Sequence, residues 1–431
     1  MTTPTRAIPA RHVLAVVLGN GLEFYDFLCY AIFAVYIGKT FFPAHDASLN
    51  LLFSLATFGI GFITRPIGAI VLGGMGDRIG RKPAMLLSFL LMGIGMLGVA
   101  LTPGYATIGM AAPILLVLFR LLQGFALGGE VGQTTAYLIE AAPPGQRGFY
   151  GAFQYASQDC AVLLASVMGV VLSLSLPAPA LESWGWRLAF LIGVTIVPFG
   201  MWVRRGLPET LHAADDAALA PDGTAGSLAH EKRLRPHLRV LVCGLLLLAA
   251  GTIGNYVLDY MATYAMSVLH LAAGISFGVT VVTSFAALTF DPIAGALSDR
   301  FGRKPVIVVP CVVMVLFILP GFWLIGHFPS PLVLYGVMGV MAILFAFSTV
   351  PVIVGLTEAL PRQIRSGAVA TVYAFAISIF GGSTQFIITW LIRVSGNPLA
   401  PAFYWTGAYV VALLVLSFLP ETAPRLRKGA P

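Results

Sequence analysis

Eight ionisable side chains fall inside long apolar stretches of this 431-residue sequence: Glu23, Asp26, Arg65, Arg120, Glu130, Asp159, Asp259 and Asp291. A charge at the centre of a bilayer costs about 2.5–3.5 kcal/mol even on insertion scales, so such groups usually face a water-accessible pathway. Glu23 and Asp26 are three residues apart and share a helical face, with Asn20 one turn below Glu23 and Tyr30 one turn above Asp26. Two carboxylates so placed repel when both are ionised, the electrostatics that a proton carrier uses. The competing reading is a structural partnership with a neighbouring arginine or helix end. Arg120 lies near the middle of its stretch, with Gln123 one turn on and Glu130 seven residues further on the same face. Asn255, Tyr256, Asp259 and Thr263 form one stripe flanked by Tyr260 and Tyr264, which reads as the polar wall of a cavity or as aromatic packing. Gln154 and Gln158 share a face beside Asp159. A later stretch carries Tyr373, Ser378, the pair Gly381–Gly382 and Gln385, the last a candidate hydrogen bonder to a ligand.

The elements that must hold these groups are transmembrane helices. The chain is 58% hydrophobic and 10% charged, with a mean hydropathy of +0.90. Soluble domains carry about 25% charged residues, so an ordinary soluble enzyme is excluded. Twelve stretches reach the ~20 apolar residues that a spanning helix needs, at 12–37, 49–74, 84–102, 109–135, 149–175, 187–204, 239–266, 276–298, 305–326, 331–356, 366–391 and 401–419. They are too long and too continuously apolar for barrel strands. The first exceeds the about 7–15-residue core of a signal peptide and carries two acids, so it reads as a span. Cys29, Cys160, Cys243 and Cys311 all lie within spans, without metal-ligand spacing, and no disulfide or metal site is expected.

Orientation follows from the 25 Lys and Arg residues. With the N-terminus in the cytoplasm, twenty fall on internal segments, three (Lys39, Arg187 and Arg393) on external ones, and Arg65 and Arg120 within spans. An even span count puts both termini inside. The net charge of +7 is thereby a topology signal spread over loops, and no nucleic-acid partner is expected.

Three motifs recur. Residues 73–83 and 295–305 both read G-x-x-x-D-R-x-G-R-K-P, 222 residues apart. Glu140 to Pro143 with Arg147 recurs as Glu358 to Pro361 with Arg365, 218 apart, and Leu207-Pro208-Glu209-Thr210 recurs at Leu419, 212 apart. Nearly equal offsets indicate duplication of a six-span unit. The expected division is 1–210, a cytoplasmic linker at 211–236, and 237–431, with the two units parallel about an axis along the membrane normal. Asp77 and Asp299 can accept hydrogen bonds from helix N-terminal amides or pair with Arg81 and Arg303. Together with Arg78 and Arg300 they form a candidate cytoplasmic gate; the plainer reading is that these arginines only enforce topology.

The doubled motif is the signature of the major facilitator superfamily, which the chain resembles over nearly its full length. Gly19-Asn20-Gly21-Leu22-Glu23-Phe24-Tyr25-Asp26-Phe27, Arg65-Pro66-Ile67-Gly68, Arg120-Leu121-Leu122-Gln123-Gly124 with Gly128-Gly129-Glu130, and Trp184-Gly185-Trp186-Arg187 resemble its metabolite–proton symporter family. Lys39-Thr40-Phe41-Phe42-Pro43, Pro103 to Gly109 and Phe380-Gly381-Gly382 resemble the citrate and tricarballylate branch. The resemblance implies an all-α fold of two six-helix pseudo-symmetric halves, alternating access, and proton-coupled uptake of a small metabolite. It implies that spans 1, 4, 7 and 10 line a central cavity. Arg120 is then the first candidate to face a substrate carboxylate, which guanidinium binds bidentately, with Gln123, Gln154, Asn255, Tyr256 and Gln385 as further substrate contacts. The alternative for Arg120 is a permanent salt bridge to Asp26 or Glu23. Glu23, Asp26, Glu130, Asp159 and Asp259 are the proton-coupling candidates. Arg65 is expected to pair structurally with Glu130 or Asp159, and Asp291, preceding Pro292, is a candidate for the gate. Asp159, Asp259 and Asp291 stand where the citrate branch has uncharged residues, which keeps a zwitterionic or cationic substrate, betaine-like or an amine, open.

No G-x-x-x-x-G-K-[ST] run occurs, so a nucleotide-driven pump is not expected. The seven histidines are scattered, without catalytic or metal spacing. A monomeric, cofactor-free inner-membrane transporter is the resulting expectation.

Overall fold

A computed structural model describes residues 10–42, 46–79, 81–128, 135, 138–139, 141–143, 145–205, 237–360, 362–419 and 421–423. The linker expected at 211–236 lies outside the described residues. Without water to bind its amides, an apolar run inside a membrane must satisfy its backbone internally, and every long element here is a helix. They are α1 (Ala10–Ile32), α2 (Ala34–Phe41), α3 (Ala47–Ile60), α4 (Arg65–Ile79), α5 (Arg81–Leu101), α6 (Ala111–Leu127), α7 (Arg147–Ser175) and α8 (Trp186–Arg205), then α9 (Leu238–Ser267), α10 (Ala273–Phe301), α11 (Arg303–His327), α12 (Pro331–Ala359), α13 (Arg362–Ala376), α14 (Gly382–Ser395) and α15 (Ala400–Leu416). Among the described residues, seven helical stretches are long and apolar enough to cross a bilayer, and Leu86–Leu101, Ala111–Leu127 and Ala400–Leu416 are shorter apolar helices. Large side chains such as Leu332, Leu174, Ile70 and Leu316 point outward, the inverse of a soluble surface. The chain is an all-α membrane protein.

Three expected spans are interrupted, the one at 49–74 by a turn at residues 61–64 between α3 and α4. The first breaks at Phe33, between α1 and α2. The stretch at 366–391 divides at a π-helical turn, Ile377–Gly381. A Cβ on Gly381 would meet Tyr256 at 2.8 Å and Phe62 at 3.0 Å, so the glycine pair is a point of close helix approach. π-turns of this kind are frequent at functional sites.

Helices α7 and α10 lie antiparallel along each other. At one end Gly148 and Gly295 touch so closely that a Cβ on either would enter the other's carbonyl. Towards the other end Gly169 abuts Phe277, and Gly274 faces Ser173. Gly302, with φ 103°, separates α10 from α11 in a conformation that only glycine adopts freely. That turn sets Arg303 and Lys304 at the start of α11, at what is here termed the motif end.

Candidate functional site

Two buried arginines share one aromatic cluster. The Arg65 guanidinium lies 4.4 Å from the Phe27 ring centroid and 4.3 Å from that of Phe62. The Arg120 guanidinium lies 4.7 Å from the same Phe27 ring, 4.4 Å from Tyr30 and 5.3 Å from Phe58. Phe58 and Phe62 in turn pack edge-on against Tyr256 of α9, at 6.0 and 5.7 Å. Flat guanidinium on ring faces is the geometry of cation–π attraction, worth about 0.5–2 kcal/mol per contact. Arg120 Nη1 donates to Gln123 Oε1 at 2.8 Å, which holds both side chains of the α6 stripe together. Gln385 of α14 donates to the Tyr256 carbonyl at 3.4 Å.

Beside this cluster is a cavity lined by Tyr155, Gln158 and Asp159 of α7, Asn255 and Tyr256 of α9, Thr349 of α12 and Tyr373 of α13, among others. Its free volume of about 40 Å³ holds a few waters; the walls must part to admit a metabolite. Asn255 Nδ2 donates to Asp259 Oδ2 at 3.1 Å, one helical turn on, and Asp259 is buried. Of the two glutamines on α7, Gln158 faces the cavity and donates to Tyr373 OH at 3.4 Å. Gln154 turns to α1, where Asn20 donates to its carbonyl at 3.4 Å and to Ser157 Oγ at 2.7 Å. Spacing alone puts both on one face; the position of α1 separates them.

The Asp159 and Asp291 carboxyls face each other across the α7–α10 contact and act directly on one another. Of the two partners expected for Arg65, Asp159 faces a second carboxyl while Arg65 sits on aromatic rings, and Glu130 lies outside the described residues. Among the described residues, Arg65 Nε and Nη2 have no hydrogen-bond partner. Both features depend on which helices meet and leave no trace in residue spacing.

The motif end is closed by a charged cluster. Asp299 Oδ1 and Oδ2 accept from the amides of Gly148 and Phe149 at 2.8 and 3.0 Å, capping the N-terminus of α7. Arg303 pairs with Asp299 at 2.8 Å and with Glu358 at 3.1 Å. Glu421, in the tail after α15, accepts from the amides of Arg303 and Lys304 at 2.9 Å each. Partial burial opposes its ionisation, but amide bonds from Ala423, Arg303, Lys304 and Thr422 outweigh burial and hold its carboxyl below the ordinary range. Arg300 is exposed and stacks on Phe301. Glu421 was missed as a site residue although it belongs to the repeated Leu-Pro-Glu-Thr motif. The opposite end is closed by Phe277 of α10, packed on Phe33 and Tyr36 at 5.3 and 6.3 Å, and by the Arg393–Asp46 ion pair at 3.0 Å.

The side chains of Glu23, Asp26, Asp77, Arg78 and Arg81, and Glu130 as a whole, lie outside the described residues. Among the described residues no group of acids, histidines and cysteines has the geometry of a metal site.

The sequence matches the Major Facilitator Superfamily profile over residues 16–382. It is 36% identical to the citrate-proton symporter of Klebsiella pneumoniae, across 94% of this chain and 91% of that protein. It is 34% identical to the alpha-ketoglutarate permease of Escherichia coli, across 93% and 90%. It is 32% identical to a glycine betaine/proline/ectoine/pipecolic acid transporter of Dickeya dadantii, across 97% and 84%. In fold it superposes on a crystal structure of D-xylose-proton symporter with a TM-score of 0.77, covering 96% of this chain and 98% of that one at 22% identity. By this match and these relatives, the chain belongs to the Major Facilitator Superfamily, in its metabolite–proton symporter family: it is a membrane transporter and not an enzyme.

Proposed function

We propose that the protein couples inward proton flow to uptake of a small organic anion, a di- or tricarboxylate such as citrate, by alternating access. In this reading twelve helices cross the inner membrane in two six-helix halves, 1–210 and 237–431, joined by a linker at 211–236. Both termini and the motif end are cytoplasmic, and a monomer contains one complete pathway.

The observation that carries the anion reading is the pair of guanidinium groups, Arg65 and Arg120, held on shared rings next to the cavity. Fixed cations in a dry aromatic setting attract carboxylate strongly, and the planar fork orients it. Relatives named as citrate-proton symporters and an alpha-ketoglutarate permease, at 36% and 34% identity, support the same substrate class. Gln123 and Gln385 brace the walls, and Asn255, Tyr256 and Gln158 offer hydrogen bonds from the cavity side. Gln154 acts through the α1–α7 contact. Asp159 and Asp259, with Glu23, Asp26 and Glu130, are the acids available for proton coupling. Asp299, Arg300 and Arg303 form the described half of a cytoplasmic gate, which Asp77, Arg78 and Arg81 complete from the first repeat.

One observation favours a second reading. Asp159, Asp259 and Asp291 bring negative charge to the same region, and relatives at 32% identity are named as proline and betaine transporters. An aromatic cage suits a quaternary ammonium. Here the rings already engage arginines, so the anion takes precedence.

Radiolabelled citrate uptake into proteoliposomes decides between them. Wild-type uptake is expected to rise with an imposed inward proton gradient and to fall at least tenfold in Arg120→Gln. Folded protein that moves glycine betaine but not citrate overturns the carboxylate assignment.

A further inference from the structure

Two carboxyl groups meet where α7 and α10 cross. Asp159 comes from α7, before the central stretch at 206–236, and Asp291 from α10, after it. Asp159 lines the cavity and is half-buried, whereas Asp291 is 2% exposed. An ionised carboxylate only accepts hydrogen bonds, so two facing carboxyls can bond to each other only with a proton on one of them. Like charges at such separation do not both ionise, and the pair takes up and releases its proton as a unit.

The surroundings suit a held proton. Tyr155, which interacts with both aspartates, packs on the apolar cluster of Ala152, Ala294 and Val350 from α7, α10 and α12. Asp291 Oδ2 has no hydrogen-bond partner among the described residues. The titratable groups acting on the pair are Tyr155 and Cys160 on α7, Tyr373 on α13 through Tyr155, and Asp259 on α9. On α12, Glu358 is taken by Arg303, and Tyr335 donates to the Ile275 carbonyl. On α11, Arg303 is engaged at the motif end, and Cys311 lies beside Tyr409 and Ser348. On α1, Tyr25 and Tyr30 donate to carbonyls of α8 and α3, and the side chains of Glu23 and Asp26 lie outside the described residues. Among the described residues no cation pairs with either aspartate.

Position gives the pair its consequence. Asp291 precedes Asp299 by eight residues on α10, about 12 Å of helix. The pair thus stands between the cavity and the contact that closes the motif end. We propose that Asp159 and Asp291 are the proton site of the closed carrier, a shared-proton pair bridging the two halves that is loaded from the cavity through Asp159. Parting of α7 from α10 splits the pair, exposes each carboxyl to water and releases the proton on the motif side. The proton is transferred intact, with no change of oxidation state. This inference rests on the proton-coupled reading above.

The test compares gradient-driven citrate accumulation with citrate–citrate exchange in proteoliposomes, because exchange needs no net proton movement. Asp291→Asn keeps a hydrogen-bonding partner for Asp159 but removes a titrating group. The expected result is at least a tenfold fall in the ratio of accumulation to exchange, and exchange that no longer varies with pH. An unchanged ratio in both Asp291→Asn and Asp159→Asn overturns the inference. If the variants lose both activities, infrared spectroscopy of wild type and Asp291→Asn decides. A protonated-carboxyl band at neutral pH that is lost in the variant supports the pair, and an identical band or none overturns it. Wild-type uptake indifferent to the proton gradient would instead sink the parent reading, a result distinct from either.

Discussion

Arg65 illustrates a conflict between stability and use at the level of one residue. Its Nε and Nη2 are buried without a hydrogen-bond partner among the described residues, a condition that costs about 1–3 kcal/mol for a buried polar group and more for a charged one. The Phe27 and Phe62 rings offset part of this through cation–π attraction. On the carboxylate reading proposed above, an anionic substrate supplies these donors with a partner. Arg65→Met keeps the bulk and the ring contacts and removes the charge. On that reading the variant is expected to melt no lower than wild type in detergent, to lose citrate uptake at least tenfold, and to lose the rise in melting temperature expected of wild type with citrate. A lower melting temperature with uptake intact would make Arg65 a packing residue. Arg120 was legible as a site candidate because its whole stripe lies on one helix. Arg65 was not, because its meaning comes from Phe27 on α1 and Phe62 before α4, brought together only by the fold. The same holds for Asp159 and Asp291, 132 positions apart in sequence.

At the scale of elements, the sequence motifs give positions and the fold gives partners. The repeated glycine, aspartate and arginine spacing correctly located a charged cluster at a helix end, and the spans' apolar length located most helices. The break at Phe33, the turn at 61–64 and the π-turn at Ile377–Gly381 were not legible, since all three occur inside mostly apolar runs. The tail is a further case: Glu421 belongs to a repeated motif, yet its role as acceptor for the first amides of α11 requires Gly302 to turn the chain. Those amides are orphan donors at a helix N-terminus, where a carboxylate is favoured. Because the folded state holds the Glu421 carboxyl below its ordinary range, its stabilisation is fully present above the unfolded-state value, about 4.3, and is lost as pH falls through the lower folded value. Glu421→Gln should therefore melt below wild type at pH 7, with the difference shrinking below about pH 4.3. A difference constant from pH 7 to pH 3 would show that the carboxylate's charge is not what matters.

Among the described residues contacts bridge both ends of the molecule, and alternating access requires opening one while the other holds. The two closures differ in kind, so they are separable by substitution. The motif end depends on backbone contact: Gly148 and Gly295 leave no space for a Cβ, and Asp299 bonds directly to the amides of Gly148 and Phe149. The opposite end depends on a plug: Phe277, fully buried, sits against Phe33, Tyr36 and Gly169. A conformation open at the plug end does not make the Phe277 contacts, so their loss falls only on conformations shut there. Truncating a buried Phe to Ala costs about 3–5 kcal/mol, and at about 1.4 kcal/mol per tenfold even half of that shifts the balance by at least tenfold. Phe277→Ala is therefore expected to favour the conformation open at the plug end, and Gly148→Ala, which wedges the motif end, the opposite one. Labelling of a Gln158→Cys variant, in a background lacking the four native cysteines, measures this with a membrane-impermeant thiol reagent. Added from the plug side, the reagent should react at least tenfold faster when Phe277→Ala is present and more slowly when Gly148→Ala is present; from the motif side the order should reverse. Equal changes from both sides would mean that the substitutions loosen the bundle as a whole, and that the two closures are not alternatives of one rocking motion.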